Sequence, residues 1–437
     1  GFHRTEHSLP TSLHAAPIES TARSAKKSGY TRVLMSDEAP KLTIQLEDGV
    51  SSLPQAEWDK LVGNESPFLE WAFLASLEEA GALDPESGWD ARPLVAREDG
   101  EIVAACPLYV KSNSEGEFVF DYSWADAAHR AGINYYPKLL VGVPFSPVPG
   151  ARFLVAYGRD RTLWIERLAS ALKEICKAND LSSVHINFCQ PEEAEALTEV
   201  GFHTRVGLQY HWLNDGYETF EDYLGAFRSK RRNQVRRERR EMEKQGVTIR
   251  TYTGDDITED LVEPMFRFYL ETIESRAWGR QYLNRKVFEL LIERFRNRLC
   301  LVIAEHEGEM IAGTLNVEKG DALYGRYWGA TRMVRHLHFN VCYYAAVEHC
   351  IERGLARFEP GAGGEYKQVR GFDAQPTYSS HYVADPRLGH AVERFLESER
   401  DHAESTIDWY QQNSALKATT EGASAQPPKD PDSTESV

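Results

Sequence analysis

Metal-binding and disulfide patterns are missing from this sequence. Its 437 residues include only six cysteines, and no two of them form a CxxC pair or stand with histidines at zinc-finger spacing. The sequence therefore supports neither a zinc knuckle nor the disulfide framework on which many small secreted domains depend. We expect a reducing compartment and predict a cytoplasmic protein.

Long apolar runs and an excess of positive charge are also missing. The apolar runs, such as residues 301–304, have the length of a strand and fall far short of the roughly 18 to 20 residues of a membrane span. The formal net charge is -17, so the surface as a whole does not attract nucleic acid or anionic lipid. Any anion site must be local.

The sequence does contain enough apolar material for two folded domains. Hydrophobic residues make up 42% of the chain and aromatic residues 11%, and globular domains typically have about 100 to 200 residues. We predict a first domain over residues 41–213 and a second over 214–412. Residues 1–40 and 413–437 are predicted to be disordered. The leader is either a processed, transit-like segment or translated sequence upstream of a start at Met35.

An internal repeat with a spacing of 208 residues indicates the architecture. Residues 95–105 (VAREDGEIVAA) align with residues 303–313 (IAEHEGEMIAG). Each copy places an acidic residue and a glycine between two apolar strands, which is typical of a tight β-hairpin. Chance similarity of two hairpins within a generic α/β protein is the alternative.

The elements predicted after each hairpin follow the same order. They are a third strand over 117–124 or 322–328, a helix over 162–178 or 340–353, and a strand over 183–188 or 356–359. This order resembles the GNAT (acyl-CoA N-acyltransferase) core, in which the fourth and fifth strands splay apart. We predict an α/β (α+β) protein with a tandem duplicated GNAT fold and mixed sheets flanked by helices. Backbone N–H groups exposed at such a split can stabilise an oxyanion.

A basic segment lies between the two copies. Residues 219–246 are predicted to form one helix that Thr219 caps. From Arg228 to Arg240 this helix carries eight basic residues and one acid, Glu238. Because a helix turns about 100° per residue, these side chains cannot share one solvated face. They either bind a phosphate-bearing ligand or pair with the surplus carboxylates of the chain, and both explanations stay open. Arg231, Arg232 and Arg236 are the candidates for ligand binding.

Residues 359–381 carry the densest set of candidate site residues, and we predict the active cleft in the second domain. Glycines permit close approach of backbone to a ligand, and carboxylates can accept a proton from an attacking ammonium. The predicted catalytic residues are Glu359, Glu365, Tyr378 and His381, although His381 also fits a structural role in a strand. The predicted cofactor-binding residues are His336, His338, Gly361, Gly363, Gly364, Lys367 and Arg370. Tyr135, Lys138, Tyr327 and Trp328 are further substrate-binding candidates.

Five segments together resemble the predicted N-acyltransferases of the GNAT superfamily that are related to Fem-type enzymes of peptidoglycan cross-bridges. They are residues 66–81 (SPFLEWAFLASLEEAG), 135–154 (YYPKLLVGVPFSPVPGARFL), 228–240 (RSKRRNQVRRERR), 323–330 (LYGRYWGA) and 359–381. The resemblance covers roughly residues 42–410. It implies an acyltransferase that moves an acyl or aminoacyl group onto an amine. Neither a metal nor a tightly bound cofactor is implied, and acyl-CoA or aminoacyl-tRNA would serve as co-substrate.

The chain departs from that family's pattern at three positions. Asn340, Gly363 and Tyr366 stand where relatives tend to carry more reactive or polar groups, which puts proton transfer at these positions in doubt. The pyrophosphate loop of CoA-dependent GNAT enzymes is missing from both copies, so CoA is in doubt as well. The acceptor is expected to be a small-molecule or peptide amine, with tRNA as a further partner. The alternative is a non-catalytic GNAT-like module that recognises a phosphate-bearing or peptidoglycan-precursor ligand.

Overall fold

The two repeated hairpins have the same geometry. In the computed structural model, which describes residues 41–275 and 279–417 apart from the side chain of Glu365, each turn has positive φ at both central residues. These are Asp99 (52°) with Gly100 (91°), and Glu307 (54°) with Gly308 (83°). The strand register shifts after residue 96 in the first hairpin and after residue 304 in the second. That offset is again 208 residues, which confirms the duplication.

The strands and helices are numbered along the chain. The strands are β1 Leu42–Leu46, β2 Trp89–Ala91, β3 Leu94–Glu98, β4 Glu101–Cys106, β5 Leu108–Lys111, β6 Lys138–Val141, β7 Leu154–Val155, β8 Ser183–Cys189, β9 His203–Leu213, β10 Val247–Thr253, β11 Leu299–His306, β12 Glu309–Lys319, β13 Ala322–Ala330, β14 Arg357–Glu359 and β15 Asp373–Val383. The helices are α1 Gln55–Val62, α2 Trp71–Glu79, α3 Tyr122–Arg130, α4 Arg161–Ala178, α5 Pro191–Glu199, α6 Phe220–Ala226, α7 Ser229–Lys244, α8 Val262–Glu274, α9 Arg285–Arg294, α10 Leu337–Phe339, α11 Ala345–Arg353 and α12 Pro386–Gln412. A π-helical turn, Asn340–Tyr344, joins α10 to α11. None of the described helices is both long and apolar enough to cross a membrane.

The two halves of the chain share one large sheet. Its strand order is β10-β11-β12-β13-β14-β9-β15-β8-β6-β5-β2, and a second sheet has the order β1-β3-β4-β7. Strand β9, from the first half, pairs with β14 of the second half, and β15 inserts between β9 and β8. This exchange makes the sheet continuous from one half to the other. The boundary between residues 213 and 214 stays a prediction.

Each half contains one pair of parallel strands. In the first half β6 pairs with β8 as far as Val141 and Ile186. In the second half β13 pairs with β14 as far as Tyr324 and Glu359, although β13 continues to Ala330 alongside β12. In both halves the parallel pairing is three residues long and stops where one strand ends, β6 at Val141 and β14 at Glu359; that the strands splay apart there stays a prediction.

The predicted third strand of the first copy, residues 117–124, is wrong. This segment is a loop followed by α3, and β6 takes the place of the missing strand. Phe118 has a φ of 59°, which a β-strand does not accommodate. Phe120 and Tyr122 are 64% and 52% exposed, so the aromatic alternation reflects side chains at the surface rather than a buried strand face.

The prediction of one helix over residues 219–246 is also wrong. The chain forms α6 and α7, and it is extended at Phe227 and Arg228 between them. Phe227 is fully buried, packs on the ring of Tyr223 at 4.9 Å and bridges to Leu416. Burial of this ring against the end of the chain breaks the helix. The predicted Thr219 cap is confirmed, since its hydroxyl accepts from the Asp222 N–H at 3.1 Å.

Helices of both halves pack around the largest hydrophobic core. It joins α1 and α2 to α8 and α9, and the rings of Phe73 and Phe295 lie 5.7 Å apart across this contact. The two halves are therefore held together by apolar burial as well as by the shared sheet. The predicted leader, 1–40, and residues 418–437 of the predicted tail lie outside the described residues.

Candidate active site

The split in the second half begins at a β-bulge. Leu315 pairs with Tyr327 and Asn316 pairs with Gly325, so Arg326 is an extra residue on β13. A bulge redirects a side chain and weakens local pairing, and bulges are over-represented beside active sites. The close approach of Pro360 favours glycine at position 325, because a Cβ atom there would lie 3.2 Å from the Pro360 Cα and would push this backbone away.

Arg326 lies deep in the protein, yet part of its side chain remains accessible. We call the region around Arg326, where the pairing of β13 with β14 ends, the cleft. Its guanidinium lies 5.5 Å from the ring centre of Phe68, its Nε donates to the Gly325 carbonyl at 3.1 Å, and Nη1 has no partner. Burial lowers the pKa of Arg326 to about 10. The side chain is still a cation near neutral pH.

A glycine-rich loop brings a second cation to the same cleft. Gly361, Gly363 and Gly364 have φ angles of 87°, 70° and 90°, which allow the chain to turn back after β14. Lys367 is 2% exposed, and its Nζ donates to the carbonyls of Gly361 (2.6 Å) and Ala362 (3.2 Å). Burial, assisted by Arg326, lowers the pKa of Lys367 to about 7. Among the described side chains, no carboxylate lies within ion-pair distance of Lys367.

Glu359 supplies a carboxylate where the two strands part. It is 6% exposed, and its Oε1 accepts from Arg357 Nε at 2.9 Å. Its Oε2 is buried without a hydrogen-bond partner among the described residues. His211 lies nearby, and burial lowers its pKa although Glu359 opposes that change. One carboxylate oxygen is thus free to accept a proton.

Aromatic rings form one wall of the cleft around His338. The imidazole centre lies 5.0 Å from Trp328, 5.4 Å from Tyr343 and 6.0 Å from Tyr366, which is 46% exposed. Burial, and after it the nearby charge of Arg370, lowers the pKa of His338 to about 4. His338 is therefore a neutral imidazole near pH 7 and can bind an anion only by a hydrogen bond.

Arg370 and His336 connect this cleft to α7. Arg370 stacks on Phe339 at 3.4 Å, donates from Nε to Tyr344 Oη at 3.0 Å, and lies 3.4 Å from Glu238 of α7. His336 has a left-handed backbone (φ 65°) and precedes α10. The buried carboxylate of Glu238 holds the Arg370 guanidinium in place. Arg370 therefore has a structural role, which is to link this cleft to α7.

The basic segment divides into paired and unpaired cations. Arg236 pairs with Glu221, and Arg239 pairs with Glu348 at 2.7 Å. Arg231 donates to Gln234 at 2.9 Å. Within the described ranges, six basic residues have no carboxylate within 4.0 Å: Arg228, Lys230, Arg231, Arg232, Arg237 and Arg240. The explanation that these cations pair with surplus carboxylates therefore accounts for only two of the eight.

Tyr135 and Lys138 belong to a buried network in the first half. Lys138 Nζ contacts Glu117 at 2.9 Å and Asp121 at 2.5 Å, and the Tyr135 hydroxyl donates to Asp121 at 2.6 Å. The pKa of Lys138 is raised, because these carboxylates outweigh its burial. Lys111 joins the network, and burial lowers its pKa to about 7.

Tyr378 and His381 do not reach the cleft of the second half. Both lie on β15, which pairs with β8 and β9 of the first half. His381 is 1% exposed and is hydrogen-bonded to His185 at 2.7 Å and Ser379 at 2.9 Å. The structure thus corrects their predicted placement, because strand exchange carries this part of the segment away.

Of the other predicted residues, Tyr327 lines the cleft and Glu365 begins a short 3-10 turn. The Tyr327 hydroxyl donates to the Phe145 carbonyl at 3.4 Å, which links the cleft to the loop after β6. The side chain of Glu365 lies outside the description. Arg326 was missed by sequence reasoning. The sequence feature that could have revealed Arg326 is a single charged residue within the aromatic strand LYGRYWGA.

Comparison with FemX supports this fold, and two further solved structures are similar at lower TM-scores. FemX is 14% identical over 78% of this chain and 98% of its own, with a TM-score of 0.50. The C-terminal domain of a putative lysylphosphatidylglycerol synthetase from Agrobacterium fabrum is 9% identical over 78% of this chain and 95% of its own, with a TM-score of 0.47. A tandem GNAT protein from the clavulanic acid pathway is 14% identical over 79% of this chain and 99% of its own, with a TM-score of 0.41. These likenesses concern the fold alone, and the predicted tandem GNAT fold is confirmed.

The sequence itself matches one family. No relative among the curated proteins matches it. The FemAB-like family, described as peptidoglycan biosynthesis/recognition, matches residues 49–418. The match supports a transferase and assigns neither donor nor acceptor. Since it spans most of the sequence, this chain belongs to the FemAB-like family of peptidoglycan biosynthesis and recognition proteins.

Proposed function

We propose that the chain transfers an acyl or aminoacyl group from an activated donor to an amine at the β13–β14 split. The observation that carries the proposal is Lys367. This buried cation has no carboxylate partner among the described side chains and lies beside the partly unpartnered Arg326. A buried charge is costly unless it is paired, so this site favours a ligand that brings or develops negative charge.

The chemistry of the cleft fits direct transfer. The amine nitrogen attacks the donor carbonyl carbon, and Glu359 Oε2 accepts the proton that the nitrogen loses. Lys367 and Arg326 stabilise the oxyanion that forms. The C–S or C–O bond to the donor then breaks, and the departing thiolate or alkoxide takes up the proton that Glu359 accepted from the amine. His338 and Trp328 pack against the acyl group or the donor.

Product mass provides the test. Purified protein is incubated with an acyl-CoA mixture or with bulk aminoacyl-tRNA, together with an amine-bearing peptidoglycan precursor peptide. We expect the acceptor to gain the mass of one acyl or aminoacyl residue. Lys367→Met should abolish this gain of mass. The control is Lys173→Met, which removes an Nζ that donates to the Val200 carbonyl on the distant α4 side. This variant should retain the gain. An acceptor that gains no mass with either donor contradicts the proposal.

The identity of the donor determines how binding responds to salt. A tRNA that contacts the unpaired cations of α7 should lose affinity steeply as salt rises, because each phosphate contact releases a counterion. A CoA thioester carries far fewer phosphates, and its binding should weaken when His338 or Arg370 is replaced. If tRNA binds tightly and in a salt-sensitive way while CoA thioesters neither bind nor react, the donor is an aminoacyl-tRNA.

The family description also includes recognition, so a second candidate is a binding module without turnover. In that case the precursor peptide binds and no donor is consumed. Asn340 is consistent with either function, since its side chain is engaged with the carbonyls of Glu238 (3.1 Å) and His336 (2.9 Å). The mass assay distinguishes the two candidates directly.

A further inference from the structure

The strand exchange brings a histidine of the first half to the side of Glu359. Strand β9 runs antiparallel to β14, with Leu213 opposite Arg357. Two residues further along this pairing, on the same face of the sheet, His211 stands opposite Glu359, and it is 9% exposed. Residues that face each other in this way have Cβ atoms about 4.5 to 5.5 Å apart. A carboxylate oxygen and a ring nitrogen can then meet directly or through one water molecule.

Hydrogen bonds within the first half determine which nitrogen of His211 carries the proton. Gln209 Nε2 donates to the Pro147 carbonyl at 2.9 Å, which leaves Gln209 Oε1 facing His211 Nε2 at 3.4 Å. An amide oxygen only accepts, so His211 Nε2 is the donor. Because a neutral imidazole has one N–H, His211 Nδ1 is unprotonated and can accept a proton.

The surroundings of His211 keep its ring uncharged at rest. Burial lowers the pKa of His211, Glu359 raises it, and the nearby cations Arg357 and Lys367 lower it further. On the other side of β9, the residue opposite His211 is Asp373 of β15. With a pKa below the ordinary value, His211 is a neutral base at pH 7 beside the carboxylate that faces the cleft.

Transfer to an amine requires two proton acceptors. At neutral pH an aliphatic amine is an ammonium, because its pKa is about 8 to 10. It loses one proton before the nitrogen can attack and a second one when the amide forms. Glu359 Oε2, which has no hydrogen-bond partner among the described residues, accounts for the second proton and returns it to the leaving group. The first proton must be held elsewhere while the amide forms.

We propose that His211 holds this first proton during transfer. The ammonium gives the proton to Glu359 Oε2, which passes it to His211 Nδ1 and becomes a carboxylate again. The nitrogen then attacks, and Glu359 accepts the second proton and delivers it to the departing thiolate or alkoxide. His211 releases the first proton to solvent once the product leaves. The net products are the amide, the free thiol or hydroxyl and one proton. This inference rests on the proposed function, and His211 acts through Glu359 rather than on the substrate.

The pH dependence of transfer tests the proposal. In His211→Gln the first proton must be lost to solvent, so kcat/KM for the acceptor peptide should follow the fraction of free amine. The ratio of the wild-type value to the variant value should therefore increase about tenfold per pH unit, or about 100-fold, as pH falls from 9 to 7. The titration of Lys367 is common to both proteins and cancels in this ratio. KM for the donor should stay within about twofold, because His211 does not contact the donor.

His203→Gln is the matched control on the same strand. This histidine lies 3.8 Å from Glu393, away from the cleft, and its ratio to wild type should not depend on pH. If the His211→Gln ratio is equally flat, the inference is overturned while the proposed function stands, because a purely structural role lowers activity alike at every pH. A wild-type chain that adds no mass to the acceptor contradicts the proposed function itself.

Nitrogen NMR of the histidine rings gives a second readout, which needs no turnover and leaves His211 in place. In the full chain labelled with 15N-histidine, the ring signals of His211 are those lost in His211→Gln. We expect an Nε2–H ring at pH 7. The pKa of His211 should fall by at least about 0.5 in Glu359→Gln, because the carboxylate that raises it is removed. An Nδ1–H ring, or a pKa that Glu359→Gln leaves unchanged, overturns the inference even if His211→Gln fails to fold.

Discussion

Replacement of Lys367 by methionine should stabilise the protein while abolishing transfer. In the folded protein burial lowers the pKa of Lys367 from 10.5 to about 7, whereas in the unfolded chain the ordinary value holds. Below pH 7 both states carry the proton, and the folded state bears the full penalty of a buried charge, about 5 kcal/mol at about 1.4 kcal/mol per pH unit. The penalty decreases between pH 7 and pH 10.5, where the unfolded chain binds more protons.

The expected magnitude follows from this difference. Removing the buried charge should raise the free energy of unfolding by about 5 kcal/mol at pH 6 and by about 2 kcal/mol at pH 9. Methionine loses the two hydrogen bonds that Lys367 donates to Gly361 and Ala362, which together cost about 2 kcal/mol. We therefore expect a net gain of about 3 kcal/mol at pH 6 and almost none at pH 9.

Thermal unfolding at the two pH values provides the assay. Lys367→Met should raise Tm by several degrees at pH 6 and leave it nearly unchanged at pH 9. The control is Lys138→Met, which removes another fully buried lysine. This lysine is paired with Glu117 and Asp121, so its loss should destabilise by about 3 to 5 kcal/mol. If Lys367→Met lowered Tm equally at both pH values, the argument from an unpaired buried charge would be refuted.

Three further changes test other parts of the structure. Glu359→Gln should lower kcat by about 10² to 10⁴ with little change in donor affinity; an unchanged kcat rules out Glu359 as the base. Lys138 lowers the pKa of Asp121 despite its burial, so the wild-type protein should lose stability as pH falls below about 4, and Asp121→Asn should reduce that acid sensitivity in a Tm–pH profile. Gly371→Ala, at a φ of 75° with Phe227 only 3.0 Å from the new Cβ, should destabilise by more than about 1 kcal/mol, measured by denaturant unfolding.

Local patterns in the sequence were sufficient to predict much of the fold. The two hairpins, α4, β8 and the helix before Gly354 follow from apolar spacing, from turn glycines and from caps, which act over a few residues. The 208-residue repeat is confirmed down to the position of the β-bulge in each hairpin. The aromatic alternation of residues 117–124 led to the wrong prediction of a strand, because spacing alone does not distinguish a buried face from an exposed one.

The sequence also predicted which residues lie near the candidate site, while their roles stay predictions. Glu359, the three glycines, Lys367 and Trp328 meet at the second split, as expected from a loop that follows a strand end. Tyr378 and His381 were placed there because they follow soon after in the chain. Arg326 was overlooked because a bulge depends on pairing between β12 and β13 and has no signature within its own strand.

The sequence by itself determined the repeated order of elements, the turns and the family, because each depends on neighbours along the chain. Only the tertiary structure decided which strands exchange between the halves, where the basic helix breaks and which cations lack partners. Those outcomes depend on burial and on contacts between residues far apart in sequence, such as Phe227 with Leu416 and Arg370 with Glu238. The free energy of a charge or a strand edge is set by what surrounds it in space.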